Sequence, residues 1–285
     1  MQVFARFVRR LFSGLFALIA LIGGALNGDV YVKSGNVKIT RRLSYPYSEG
    51  ISFCQGLACD GKYFYGFGAV KALNYNAITV LDAATGEIVK CEEMCIPVFL
   101  MRKGYSHIGD GCIEDGKLYI ALEDYGFRHP GVIVYDAETL EFLEYHVLPD
   151  ECRGNGRIPW CEIKDGILYF SQSNEVDELR MICLSDFSFI GTIPLDTTLY
   201  KVQGGEFCGD ALYMVTNQKR KDKTVYAVDI VTGEVKPYFV RCTGRLDAEG
   251  EGIAVYPLED GSLFHILDVG ATVRLTSFSE ISQDK

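Results

Sequence analysis

Five short segments hold the residues best suited to chemistry: Gln55-Gly56, Asp110-Gly111, Trp160-Cys161, Gly204-Gly205-Glu206 and Glu251-Gly252. Each combines glycine, or a small residue, with a polar or aromatic neighbour, and each precedes a strand-and-turn signal. His107 and Gln203 stand just upstream of the second and fourth segments. If the five met, three carboxyl groups, an amide and an indole would share one space. Carboxyls that crowd together away from water raise one another's pKa, which keeps at least one protonated as a general acid. The same oxygens could hold a hard cation, or simply hydrate the mouth of a channel. Other chemistries find no support. No Cys/His spacing fits a zinc finger or ribbon, no Gly-x-Ser-x-Gly elbow is present, and His107, His129, His146 and His265 are dispersed.

The elements that would position these residues are repeats. Turn signals recur at Asp60-Gly61, Asp115-Gly116, Asp165-Gly166, Gly209-Asp210 and Asp260-Gly261, with the aspartates 55, 50, 45 and 50 residues apart. Each is followed by an alternating apolar strand such as Leu118-Tyr119-Ile120 or Leu212-Tyr213-Met214, the pattern of a half-buried strand. A second hairpin completes the repeat, turning at Asp82-Ala83-Ala84-Thr85-Gly86, Asp136 to Glu141, Ser185-Asp186 and Asp229 to Glu234. Four strands in a meander at this period read as a propeller blade. The last repeat lacks an outer strand, and Asn36 to Leu43 is a spare strand at the other end of the chain. Pairing them would close the ring and hide its open edges. The expected fold is therefore an all-β propeller of five four-stranded blades, with six as the alternative. The tight turns share one face. The longer connections, at Ala69 to Asn76, Asp124 to Pro130, Asn174 to Asp177 and Asn217 to Lys223, share the other, where sites usually sit.

Two domains are expected. Residues 1–28 have the layout of a signal peptide or signal anchor: Arg6, Arg9 and Arg10 precede an uncharged stretch with an apolar core at Leu15 to Ile22. Residues 29–285 form the propeller, which would be exported and touch a membrane only through the N-terminal segment. A net charge of −10 argues against nucleic acid. Five of the ten cysteines (Cys54, Cys59, Cys112, Cys161 and Cys208) lie in or beside first strands, where they read as small core residues.

The segments named above resemble those of the plant-type and bacterial glutamine cyclotransferases, five-bladed propellers that convert N-terminal glutamine to pyroglutamate. Phe53-Cys54-Gln55-Gly56-Leu57 is similar to that family's Phe-Thr-Gln-Gly-Leu, and Ile108-Gly109-Asp110-Gly111 to its Phe-Gly-Glu-Gly. Pro159-Trp160-Cys161 keeps the Trp of Gly-Trp-Gly. Gly204-Gly205-Glu206-Phe207 stands for Asn-Glu-Leu-Glu, and Glu251-Gly252-Ile253-Ala254 for Asn-Gly-Ile-Ala. The chain departs by an Asp for the family's acid, a Glu for an Asn, and Gly270 and Arg274 where a functional lysine would lie. The resemblance implies catalytic roles for Asp110 and Glu206. It implies substrate contacts from Gln55, Phe53, Trp160, Glu251 and His107, with no metal and no cofactor, although the acidic set is compatible with a structural calcium ion. The ligand would be a peptide or small molecule at the channel mouth of a monomer. Two other readings stand beside it. One is a secreted propeller that binds a peptide or glycan through Tyr75, Tyr125, Phe127 and Trp160. The other is a metal-dependent, phytase-like hydrolase, suggested by Glu249-Gly250-Glu251-Gly252-Ile253.

Overall fold

The computed structural model describes residues 29–153, 157–218, 221–244 and 248–281; the signal segment expected at 1–28 lies outside them. Five antiparallel sheets make up the fold. Blade one runs Gly56–Cys59, Tyr63–Val70, Tyr75–Asp82 and Ile88–Glu93. Blade two is Tyr105–Glu114, Lys117–Asp124, Gly131–Asp136 and Phe142–Val147. Blade three is Cys161–Lys164, Ile167–Phe170, Val176–Cys183 and Phe189–Leu199. Blade four is Val202–Cys208, Ala211–Thr216, Asp222–Asp229 and Val235–Cys242. Blade five takes Glu249–Val255, Phe264–Val269 and Thr272–Glu280 from the end of the chain and Val37–Pro46 from its beginning. That last pairing runs from Val37 opposite Glu280 to Pro46 opposite Thr272. The ring is closed as the spare strand implied, with five blades and not six.

One strand was not foreseen. Tyr31–Gly35 pairs with Val235–Cys242 and gives blade four a fifth, outer strand. The N-terminal stretch thus covers the edges of two neighbouring blades. Gly35, at φ +106, turns the chain between them, and a Cβ there would lie 2.4 Å from that of Phe239. The strand is short and mostly exposed, so it carries no alternation to read.

The turn chemistry is local. In blades two and three, both residues of Asp115-Gly116 and Asp165-Gly166 adopt positive φ, as a two-residue hairpin matched to strand twist requires. At the outer hairpins one aspartate caps the turn. Asp82 accepts from the Ala84 and Thr85 amides, Asp136 from Glu138 and Thr139, and Asp229 from Val231 and Thr232. Packing then joins the blades. Tyr65, Phe67 and Ile78 of blade one meet Ile120, Leu122 and Tyr135 of blade two in one buried cluster. Phe64 and Leu81 meet Ala254, Leu267 and Leu275 of blade five in another. Burying a ring such as Phe67 contributes about 2–3 kcal/mol, and it is gained only when two blades are side by side. All ten cysteines are free thiols, seven of them buried, with Cys91, Cys183 and Cys208 half-buried. No helix among the described residues is long and apolar enough to cross a membrane.

Candidate functional site at the channel mouth

The five inner strands crowd the axis so closely that several positions admit only glycine, two of them against Asp110. A Cβ on Gly56 would lie 2.5 Å from the Asp110 Cα, and one on Gly204 2.3 Å from Asp110 Oδ2. Asp110 is the knot at this level. Its carboxylate accepts from the Leu57 amide at 2.6 Å and the Ile253 amide at 3.4 Å, while its own amide donates to the Pro159 carbonyl at 2.7 Å. One side chain and its backbone therefore tie together blades one, two and five and the segment leading into blade three. Asp110 is almost wholly buried. That burial pushes its carboxyl well above the usual range, the two amides pull it back, and Glu206 adds a further upward push.

The remaining polar groups fall on either side of Asp110. On the loop face, Gln55 Oε1 lies 2.7 Å from His107 Nε2, and Gln55 Nε2 donates to the Cys54 carbonyl at 3.0 Å. The other imidazole nitrogen, His107 Nδ1, faces Glu123 Oε2 at 3.3 Å. Glu123 has no exposed surface. It also accepts from the Ile158 amide at 3.1 Å and Arg157 Nε at 3.4 Å, with Lys71 Nζ at 3.9 Å. Across the mouth, Gln203 Nε2 donates to Glu251 Oε2 at 3.0 Å. Burial raises the Glu251 carboxyl well above its ordinary value; Glu249 and Asp110 push it further, and Arg157 opposes them.

Toward the tight-turn face lies a second acidic group. Glu162 is buried, and one of its oxygens has no partner. Its carboxyl is raised by burial and then by Cys112, Glu206 and Asp110. Burial pushes Glu206 up to about 8, with the Val255 amide opposing. Among the described residues no group of three or more His, Cys, Asp or Glu is arranged to hold a metal ion.

The residues expected from the sequence therefore sit at different levels of the inner strands. Gln55, His107 and Glu251 stand toward the loop-face ends. Asp110 lies between the Leu57 and Ile253 amides, and Glu206 lies further along its strand toward the tight turns. Two residues pack into the spaces between blades. Phe53 is fully buried in the core between blades five and one, edge-on to Tyr45 at 4.9 Å. Trp160 is fully buried against Gly205, and its indole N–H donates to Ser171 Oγ at 2.9 Å. An aromatic beside a strand start serves core packing as readily as a ligand, and here the spaces between blades claim both rings. Glu123, Lys71 and Arg157 escaped the sequence reading. The only signal for Glu123 was a pair of acids closing an apolar strand.

Against solved structures, the chain matches the glutaminyl cyclase of Myxococcus xanthus with a TM-score of 0.62 at 13% identity, over 86% of this chain and 97% of that one. The two share a fold. A luciferin-regenerating enzyme matches with a TM-score of 0.48 at 11% identity, over 90% and 92% of the respective chains. Hydrazine synthase of Kuenenia stuttgartiensis matches with a TM-score of 0.44 at 13% identity, over 76% of this chain and 56% of that one. No family model matches the sequence, and no curated protein matches it.

Proposed function

We propose that the chain is an exported, glutamine cyclotransferase-like propeller, and that its loop-face mouth cyclises a terminal glutamine to pyroglutamate. In that reaction the free α-amine attacks the side-chain amide carbon, a C–N bond forms, and the amide nitrogen leaves as ammonia. One group must take a proton from the attacking amine and return it to the leaving nitrogen. The observation that carries the reading is Glu251: a buried carboxyl at the loop-face start of its strand, oriented by Gln203, whose hold on its proton is raised by burial. A carboxyl shifted in that direction suits a group that must donate and re-accept a proton. Asp110 supports it from below, fixing the strand that carries Glu251 through the Ile253 amide. Positioning would contribute much of the rate, as expected of an intramolecular reaction. Incubating the full chain with a Gln-initiated peptide tests this. Ammonia and a pyroglutamyl product are expected, with Glu251→Gln lowering the rate at least tenfold. No ammonia from the wild type, or full activity in Glu251→Gln, overturns it.

A non-catalytic ligand-binding propeller is the second reading. Its support is that both ends of the Gln55 amide and both oxygens of Asp110 already have partners within the protein. In that case the mouth binds the same ligand without turnover.

A further inference from the structure

The seam between blades four and five holds two arginines that the proposed chemistry does not use. Arg241 lies near the end of the fourth strand of blade four, and Arg274 lies in the third strand of blade five. Arg241 has no exposed surface, and Arg274 is 8% exposed. One carboxylate lies between them. Asp268, also fully buried, accepts from Arg241 Nε at 3.3 Å and from Nη2 at 2.8 Å. The hairpin register sets the same Asp268 directly opposite Arg274, and opposed side chains on one sheet face stand about 5 Å apart at their Cβ atoms. Arg274 in turn donates from Nη2 to the Thr243 carbonyl at 2.6 Å, just beyond Arg241 on the same segment. Register and hydrogen bonds thus bring both guanidiniums to one corner of the seam. Gly250 makes room for the first, since a Cβ there would lie 2.9 Å from Arg241 Nη2.

The hydrogen bonding of this pair is incomplete. Among the described residues, Arg241 Nη1 and Arg274 Nε and Nη1 are buried without an acceptor. Buried N–H groups are almost always paired, and one that is not calls for a water or an ion. Charge favours the ion. Both oxygens of Asp268 are already bound by Arg241, and among the described residues Arg274 has no ion pair of its own. Asp29 supports Arg274 only from a distance and is itself exposed. Lys223 is buried opposite Arg241, but it has partners of its own, Asn217 among them. Burial lowers the pKa of the Arg274 guanidinium, Asp268 opposes that, and Arg241 lowers it further. A buried charge left without a counter-charge is strongly destabilising.

We infer that this seam is an oxyanion site, in which a small phosphate, sulfate or carboxylate ion takes the free N–H groups of Arg241 and Arg274. Guanidinium suits such oxygens because its donors are fixed in a plane and its charge is permanent. Asp268 supplies one negative charge at the corner, and the ion supplies the second. Arg274 retains contact with solvent, which gives the ion an approach. Because one arginine comes from each blade, the bound ion ties blade four to blade five. The N-terminal stretch spans the same junction, with Tyr31–Gly35 on blade four and Val37–Pro46 on blade five. The ion therefore acts on the closure of the ring, and the site stands whether or not the mouth is catalytic.

Thermal unfolding of the full chain tests the site. Sodium phosphate, sulfate or acetate is added at low millimolar concentration to an oxyanion-free buffer, with chloride holding the ionic strength constant. Phosphate and sulfate stabilise any fold by exclusion from its surface, but that effect belongs to high concentration, whereas binding saturates. A saturating rise in Tm is expected with at least one of the three salts, about 3 °C at a tenfold excess over Kd, and the salt that gives it identifies the oxyanion. Arg274→Met removes the donors, leaves the Arg241–Asp268 pair whole, and is expected to abolish the rise. Arg274→Lys keeps a charge without the planar donors and is expected to weaken the apparent Kd at least tenfold. Wild-type crystals grown with selenate place the ion without any variant: an anomalous peak within hydrogen-bond reach of Arg241 Nη1 or of Arg274 Nε or Nη1 is expected. No saturating rise with any salt, a rise that survives Arg274→Met, or a selenate peak only elsewhere, which marks an adventitious ion only, overturns the site.

Discussion

Replacing Glu206 by glutamine should flatten the dependence of stability on pH. Glu206 lies below Asp110, with burial raising its carboxyl from 4.5 to about 8. In the unfolded chain it titrates near 4.5; in the native state it keeps its proton until about 8. Between those values the folded form binds more protons than the unfolded one, so stability falls as pH rises. Below 4.5 both states are protonated and the penalty is absent. Above 8 both are ionised and the penalty is complete. Each pH unit in the interval is worth about 1.4 kcal/mol, so full expression would remove ~5 kcal/mol. Glu206 is partly exposed, and water near a partly exposed charge screens the effect. A loss of ~2–3 kcal/mol is the reasonable expectation.

The neighbours sharpen the test. Glu206 is among the groups that raise Asp110, Glu162, Cys112 and Cys59. Glutamine at position 206 keeps the shape, removes the titrating proton and relieves those four. Urea unfolding at about pH 5 and about pH 8.5 supplies the measurement, with the linear slope checked for constancy. Wild type and variant should differ little at the lower pH. At the higher pH the variant should be more stable by ~2–3 kcal/mol. A variant equally destabilised at both pH values would show that Glu206 serves through a hydrogen bond and not through its charge, and the proton linkage argued above would fall.

Three other outcomes follow from the packing. Gly204→Ala puts a methyl group 2.3 Å from Asp110 Oδ2 and should cost about 1–3 kcal/mol in urea unfolding, because an overpacked axis cannot relax without moving two strands. Asp268 pairs with Arg241 at 2.8 Å where neither side chain has exposed surface; Asp268→Asn leaves a buried guanidinium uncompensated and should cost about 3–5 kcal/mol, whereas replacing both partners by apolar residues should cost much less. A chain that begins at Tyr47 loses the outer strand of blade five and should unfold without a single cooperative transition, seen as non-coincident circular dichroism and fluorescence curves.

The parts of this protein that could be read from its sequence are those in which a residue acts on its immediate neighbours. Asp115-Gly116 and Asp82-Ala83-Ala84-Thr85 set their own turns, so blade count and the choice of faces followed from spacing alone. Val37–Pro46 was legible because an unfinished last blade demands a partner, and only one apolar alternating segment remained. The site is different in kind. Asp110 was marked by its glycine neighbour, but its function as a brace depends on the Leu57 and Ile253 amides, 53 and 143 residues away. Trp160 and Phe53 were drawn to the mouth by their positions at strand starts, yet the direction of a side chain at such a point is decided by the space between two blades. Glu123 is the converse case. It ends a strand as many surface acids do; the hairpin register of blade two sets His107 opposite it, and only the closed ring brings Lys71 and Arg157 onto it from the segments on either side. A charge becomes informative when it has no water and several claimants, and neither property is local.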